Sequence, residues 1–299
     1  MTILDEYLRV HAPEDISRAI SAVAASALII RKALPFSTGM TRGMNPSGER
    51  QAELDVYANE LFATSLLATG RVAEVASEEM EHAMVGIGTL HVAMDPLDGS
   101  SNVSTNNPLG SIFGIYSKEL PSSGEHLVGA AFVTYGPMLT LTFAVGKGVQ
   151  TFVAVEREAG PEFILLQSDV HIPDKPEVFG FGGLRRDWTE PVERFVASLE
   201  ARGMKLRYGG TFAGDYNQVL RYGGIFAYPA LKNRPRGKLR VLYEAAPMAY
   251  ITRQAHGASS DGSRDILAIA PSDLAETTPL YMGTQSLINE VEAMLSAVS

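Results

Sequence analysis

Residues 15–34 place Ile16, Ile20, Val23, Ala27, Ile30 and Leu34 at alternating steps of four and three, the spacing of a helix with one apolar face. Pro13 and Asp15 suit its start, and Pro35 its end. Residues 36–49 hold Gly39, Gly43, Pro46 and Gly48 with little periodicity and predict a mobile loop. Helical spacing returns over 54–68, with Leu54, Ala58, Leu61, Phe62 and Leu66 inward and Gly70 as the stop. A short strand at 72–75 ends at Ser77-Glu78-Glu79, and a second apolar run, Leu90 to Met94, enters a sharp turn at Asp95-Pro96-Leu97-Asp98. Strand candidates then crowd together at 111–116, 128–134, 139–145, 149–155 and 163–166. Thr140, Thr142 and the pair Gly136-Pro137 suit antiparallel pairing there.

The pattern breaks at 169–176, where two prolines interrupt any core spacing. A boundary is expected there, between an N-terminal subdomain 1–170 and a C-terminal subdomain 171–299. The second part alternates again, with helices at 188–201, 212–221, 246–255 and 285–298 and strands at 225–228, 239–243 and 266–270. Such alternation predicts an α/β fold of stacked helix and sheet layers.

The 299 residues are 45% hydrophobic, enough for one large core or two modest ones, and no segment is of low complexity. A net charge of −9 argues against nonspecific nucleic-acid binding. It suits a phosphate ligand only where metals or a local basic pocket reverse the field. The absence of cysteine excludes disulfides and zinc-thiolate sites and suits a reducing cytoplasm. Asp5, Glu6 and Arg9 interrupt the first ten residues, which do not form a signal peptide. Arg9 and His11 read as solvated residues in a frayed N-terminal segment. The longest apolar run, 22–30, is broken only by Ser26 and falls short of a membrane span.

Chemistry gathers at the central turn. Asp95 and Asp98 bracket it, and Pro96 removes one ladder donor. Gly99-Ser100-Ser101 then offers bare backbone and two hydroxyls. Carboxylates beside such a turn suit hard cations held by oxygen, with a phosphate between the cations and backbone N–H groups. An isolated Asp-x-x-Asp would only cap a turn, and an isolated Glu78-Glu79 would be a solvated pair. Both acid pairs, however, follow predicted strands, so four carboxylates can meet at one sheet edge, where they repel unless cations neutralise them.

The full string Met94-Asp95-Pro96-Leu97-Asp98-Gly99-Ser100-Ser101-Asn102 resembles the metal-binding signature of the class I fructose-1,6-bisphosphatases, within the wider lithium-sensitive sugar and inositol phosphatases. Ser77-Glu78-Glu79 is similar to that family's Ser-Glu-Glu element. Lys238-Leu239-Arg240, followed by Glu244 and Pro247, is similar to its Lys-Leu-Arg strand and metal-binding Glu. The resemblance spans roughly residues 16–285. It implies a five-layer α-β-α-β-α fold with mixed sheets and hydrolysis of the 1-phosphate of fructose 1,6-bisphosphate. It further implies Glu78, Asp95, Asp98, Glu244 and the Leu97 carbonyl as ligands to more than one Mg²⁺, with Mn²⁺ an alternative. Asp55 and Glu79 would orient and deprotonate the attacking water. Asn45 and Glu49, where the family has Asn and Asp, would close over the site. Gly99, Ser100, Ser101 and Asp98 would hold substrate, and Arg207, Tyr208, Tyr228 and Lys238 its distal phosphate, with the Arg reaching in from a neighbouring subunit. The family's setting is cytoplasmic carbohydrate metabolism, gluconeogenesis or the Calvin cycle, in a homotetramer.

Two departures bear on specificity and control. Phe181 and Leu184 stand where the fructose enzymes have Asn and Tyr, and Gly182-Gly183-Leu184-Arg185 is closer to sedoheptulose-1,7-bisphosphatases. A dual or sedoheptulose-preferring enzyme is therefore the alternative, and a non-catalytic sugar-phosphate binder the second. The family's AMP site uses a Gly-Glu-Leu-Thr-like turn and a Lys-Tyr pair. Val10-His11-Ala12-Pro13 and Thr89-Leu90 occupy the matching places, so that site is expected to be missing.

Overall fold

The computed structural model describes residues 1–36, 41–44 and 50–297. The N-terminal segment is not frayed: it forms helix α1, Leu4–His11. Leu4 and Leu8, four apart, are buried, and Tyr7 packs edge-on against Phe143 and Phe152. The long periodic stretch is α2, Glu14–Ala33, with Ile16, Ile20, Val23, Ala27 and Ile30 all buried. With the turn that follows, Glu14–Phe36 is long and apolar enough to cross a membrane by composition alone. Its apolar face is seated on the protein's own sheet and on α3, as a core helix.

Strands β1, Thr41–Met44, and β2, Arg50–Ala52, pair antiparallel, the first inside the stretch 36–49 expected as a loop and the second just past it. Helix α3 spans Glu53–Ala68. Strands β3 (Val72–Ser77), β4 (Met84–Val85), β5 (Leu90–Asp98), β6 (Leu109–Tyr116), β7 (Leu127–Tyr135), β8 (Leu139–Val145), β9 (Val149–Val155) and β10 (Glu162–Gln167) form the larger sheet. Their order is β10-β9-β8-β7-β6-β5-β3-β4, antiparallel except for the parallel pair β3/β5.

The second part contains β11 (Val178–Phe181), α4 (Glu190–Ala201), β12 (Lys205–Leu206), α5 (Phe212–Tyr222), β13 (Gly224–Tyr228), β14 (Leu239–Arg240) and α6 (Ala246–Gln254). It ends with β15 (Ala258–Ser260), β16 (Thr277–Thr278), β17 (Leu280–Gly283) and α7 (Gln285–Ser296). Its sheet runs β12-β11-β13-β17-β15, with parallel and antiparallel pairs mixed. Two predicted strands are corrected. The run at 239–243 is extended only to Arg240 and then coils into a π-helical turn, Val241–Ala245. The segment at 266–270 is a 3₁₀ turn whose N-cap, Asp265, accepts from the Leu267 N–H.

Strand alternation builds the layers. Val92, Met94, Phe113, Ala131 and Val133 point to α2 and α3, while Ala93, Ile112, Ala130 and Phe132 point to α5 and α6. In the smaller sheet Val178 and Phe226 face α5 and α6, and Phe179, Phe181, Ile225 and Tyr281 face α4 and α7. The result is the α-β-α-β-α sandwich expected from the motif resemblance. Small residues let the middle layer close tightly: a Cβ at Gly114 would fall 2.9 Å from Pro247 Cγ.

Candidate active site

The parallel pairing of β3 and β5 aligns Ser77 with Met94, and the Glu78 N–H extends the ladder by donating to the Met94 carbonyl at 3.1 Å. Two adjacent strand ends thereby bring Glu78 beside Asp95. Strand β5 does not stop at Asp95. It continues through a bulge, Asp95 opposite Ile112 and Asp98 opposite Gly110, at the proline that lacks an N–H. The bulge is held by the Leu97 N–H donating to Asp95 Oδ1 at 3.1 Å and by Ser111 Oγ donating to the Pro96 carbonyl at 2.8 Å. Gly99 then turns left-handed at φ 75°, in a place where a Cβ would sit 2.7 Å from the Thr211 Cβ. Asn102 secures the far side of the turn, donating to the Pro108 and Gly209 carbonyls at 3.0 and 2.9 Å.

The π-turn after β14 supplies the third acid. Glu244 is buried, and its Oε2 accepts from the Arg240 N–H at 2.7 Å. Carboxylate oxygens of Glu78, Asp95 and Glu244 lie within 4.8 Å of one another. Arg240 sits among them, its guanidinium 2.5 Å from Glu78 Oε1 and 3.7 Å from Glu244 Oε2, with only 8% of the residue exposed. Burial holds the Asp95 carboxyl well above the usual carboxylate range, and the charges of Glu78, Asp98 and Glu244 push it further. Burial likewise raises Glu244, against the pull of Arg240. An all-oxygen acid cluster of this kind fits a hard divalent cation, whose charge would offset both burial and mutual repulsion.

Asp98 faces another way. Its Oδ2 accepts from Thr211 Oγ1 at 2.6 Å and the Ala213 N–H at 2.7 Å, and its Oδ1 from the Phe212 N–H at 3.0 Å. It therefore caps α5 from another strand, in favourable alignment with the helix dipole. Gly110 leaves room for this contact, since a Cβ there would lie 2.4 Å from that of Ala213. Burial still raises Asp98 above the ordinary range despite these donors. Asp215, one turn into α5, folds back to accept from the Gly209 and Gly210 N–H groups at 2.6 and 3.1 Å. Burial pushes it up to about 6.

These groups line one cavity of about 350 Å³, which also takes in Glu79, the Leu97 and Gly99–Ser101 stretch, Tyr208, Tyr228 and Lys238. Lys238 Nζ lies 5.9 Å from the Tyr228 ring centre, a cation–π distance. Gly182 gives that ring its place, since a Cβ there would approach it to 2.3 Å. Burial raises the Tyr208 hydroxyl to about 12, so it stays a neutral donor. Other sequence candidates lie elsewhere. Asp55 is buried in the first turn of α3 and is not among the residues that line this cavity. Arg207 is exposed and donates to the Leu206 carbonyl, also outside the lining. Phe181 is a core residue between Trp188, Phe195 and Tyr281. Leu184 is exposed on the wall of a neighbouring hollow. Asn45 and Glu49 lie outside the described residues.

Thr211 and Asp215 were not legible as site residues. Thr211 precedes a predicted helix, a capping signal, but its partner Asp98 lies 113 residues away. Asp215 carries no sequence signal. At the expected AMP position, the N-terminus of α2 is already charged: Arg71 pairs with Glu14 at 2.8 Å and Asp15 at 3.2 Å, and Arg18 with Glu14 at 3.0 Å.

The family model for the fructose-1-6-bisphosphatase N-terminal domain matches residues 6–168, and that for the C-terminal domain matches 172–296. The chain belongs to the class 1 fructose-1,6-bisphosphatase family. It is 44% identical over 282 residues to "Fructose-1,6-bisphosphatase class 1 1" of Haloarcula marismortui, covering 94% of this chain and 95% of that one. To the class 1 enzyme of Methanocorpusculum labreanum it is 39% identical over 297 residues, covering 98% and 92%. Among solved structures, Leishmania major fructose-1,6-bisphosphatase in its holo form superposes with a TM-score of 0.91 at 30% identity, over 99% of both chains. The same protein in its T-state gives 0.88 at 31%, again over 99% of both. This family is metal-dependent, in keeping with the acid cluster.

Proposed function

We propose that the chain hydrolyses the 1-phosphate of fructose 1,6-bisphosphate to fructose 6-phosphate and phosphate, as a phosphoric monoester hydrolase. One observation carries the reading: the Glu78, Asp95 and Glu244 cluster shares a single cavity with Lys238 and two tyrosines. One wall suits cations and a reacting phosphoryl group, the other a second phosphate. Glu78, Asp95, Asp98, Glu244 and the Leu97 carbonyl would hold more than one Mg²⁺. Asp98 can serve while capping α5, because each carboxylate oxygen has two acceptor sites and Oδ1 receives one donor. Bound Mg²⁺ would polarise the phosphoryl oxygens and lower the pKa of a water molecule. Glu79, in the cavity wall, would orient that water and take its proton, with Asn45 and Glu49 closing the cavity; the resemblance adds Asp55 to this pair, although it lies outside the lining. The Ser100 and Ser101 stretch positions the transferred group, and Tyr208, Tyr228 and Lys238 the distal phosphate.

Arg207 would reach the cavity of an adjacent copy in a homotetramer, which accounts for its standing outside its own. The metal ligands fall mostly in the N-terminal unit and the phosphate grip in the C-terminal one, with the division near 169–176. The lack of cysteine suits a cytoplasmic setting. Phosphate release from fructose 1,6-bisphosphate at saturating Mg²⁺, lost in excess chelator, is the test. No release with Mg²⁺ or Mn²⁺ would refute the reading.

A further inference from the structure

Between β12 and α5 the chain runs Arg207-Tyr208-Gly209-Gly210-Thr211, a stretch that belongs to no strand or helix. At its start the Arg207 N–H donates to the Phe179 carbonyl of β11 at 2.8 Å. Two consecutive glycines then give the backbone a wide choice of conformations, and Gly210 takes a left-handed one, φ 82°. Tyr208 stands in the main cavity at the edge of this loose stretch. Among the described residues its hydroxyl has no hydrogen-bond partner, so the place of that hydroxyl depends on how the backbone beside it is held. Asp215 does the holding. Its Oδ1 accepts from the Gly209 N–H at 2.6 Å and its Oδ2 from the Gly210 N–H at 3.1 Å. The Gly209 unit is also caught from the other side, where Asn102 Nδ2 donates to its carbonyl at 2.9 Å. The fit is close, since a Cβ at Gly209 would lie 3.2 Å from Asp215 Oδ1.

Burial and the charge of Asp98 both act against an ionised Asp215, so a residue placed there for packing alone would be neutral. What a carboxylate adds is a pair of acceptors for two adjacent N–H groups. We propose that Asp215 is a positioning residue for the distal phosphate. By fixing the Gly209-Gly210 backbone it holds Tyr208 where, together with Tyr228 and Lys238, it can donate to phosphate oxygens. Asp215 acts through Tyr208 and not by its own contact with the ligand. Glu78, Asp95 and Glu244 are held by Arg240 and the Leu97 N–H rather than by Asp215, so its effect falls on binding of the distal end more than on the chemical step.

This inference rests on the proposed function. Fructose 6-phosphate keeps the distal phosphate and lacks the reacting one, so calorimetric titration with it in chelator reads this end of the cavity without metals. Asp215→Ala loses both acceptors and should bind fructose 6-phosphate about tenfold more weakly than the native enzyme. Asp215→Asn keeps one amide oxygen as acceptor and should fall between the two. On fructose 1,6-bisphosphate at saturating Mg²⁺, the KM of Asp215→Ala should rise by a similar factor while kcat changes by less than about threefold. Combining Tyr208→Phe with Asp215→Ala should weaken binding of fructose 6-phosphate by less than the product of the two single losses, because both act on one contact. An affinity in Asp215→Ala within about twofold of native overturns the positioning role, as do fully multiplicative losses in the double variant or a fall in kcat at unchanged KM. A native enzyme that neither releases phosphate from fructose 1,6-bisphosphate nor binds fructose 6-phosphate overturns the proposed function as well.

Discussion

Replacing Arg240 by Met tests whether the guanidinium is an internal counter-ion for the acid cluster. The substitution keeps most of the buried volume and the Arg240 N–H that Glu244 accepts, while removing the charge beside Glu78 and Glu244. Removing one member of a buried ion pair costs about 3–5 kcal/mol, because the remaining charge stays buried without its partner. For 299 residues the unfolding entropy is about 0.6 kcal/mol/K, so the metal-free variant should melt roughly 5–8 °C lower at pH 8. Bound at the cluster, Mg²⁺ would replace the missing positive charge, so saturating Mg²⁺ should raise the Tm of the variant by several degrees more than that of the native protein. Scanning calorimetry of both proteins, with chelator and with Mg²⁺, supplies the four values. An equal deficit with and without Mg²⁺ would make Arg240 a packing residue and refute the counter-ion role, as would a metal-free deficit under about 2 °C.

Asp95→Asn should lower kcat on fructose 1,6-bisphosphate at least about a hundredfold, and added Mn²⁺ should not restore it; near-native turnover would remove Asp95 from the metal set. Asp215, raised to about 6 against an unfolded value near 3.8, favours the folded state while it is protonated, and that contribution fades as pH rises through this interval. Relative to Asp215→Asn, the native protein should therefore lose up to about 3 kcal/mol between pH 4 and pH 7 in urea unfolding, and parallel pH profiles would contradict this. Asn45→Ala combined with Glu49→Ala should reduce turnover without changing the far-ultraviolet circular dichroism spectrum; native turnover would leave these residues no catalytic part. AMP at about millimolar concentration should not inhibit, because the N-terminus of α2 presents Glu14 and Asp15 rather than an open anion nest; cooperative inhibition at micromolar AMP would show a different nucleotide site.

The acidic turn was legible as a turn because its information is local: an apolar strand, two acids, a proline and a glycine within nine residues. The layers were legible for a related reason, since alternation in β5 to β7 and helical spacing in α2 and α3 each name one buried face. The run Leu239-Arg240-Val241-Leu242-Tyr243 misled because a short apolar stretch looks the same whether it is a buried strand or a buried turn. The π-turn was chosen by tertiary contacts, among them the Val241 N–H bond to the Glu276 carbonyl and the Tyr116 hydroxyl bond to the Leu242 carbonyl. Helix α1 was missed because its apolar face is only Leu4, Tyr7 and Leu8, and it is seated by contacts with α2 and with strand residues far along the chain, among them Phe143 and Phe152. The cap that Asp98 gives α5 was illegible for the same reason: its two sides are joined only by folding.

That cap has a consequence for the nascent chain. Glu78, Asp95 and Asp98 leave the ribosome long before Thr211 and Glu244, by on the order of 10 s at ordinary elongation rates. During that interval β5 ends in acids that have neither α5 nor Arg240 to receive them. The cavity closes only when the later layers dock on the larger sheet. An incomplete polypeptide, or one truncated before Glu244, therefore carries the signature turn without the means to act on a sugar phosphate. The cell's sugar bisphosphates meet a competent catalyst only after synthesis has passed the π-turn.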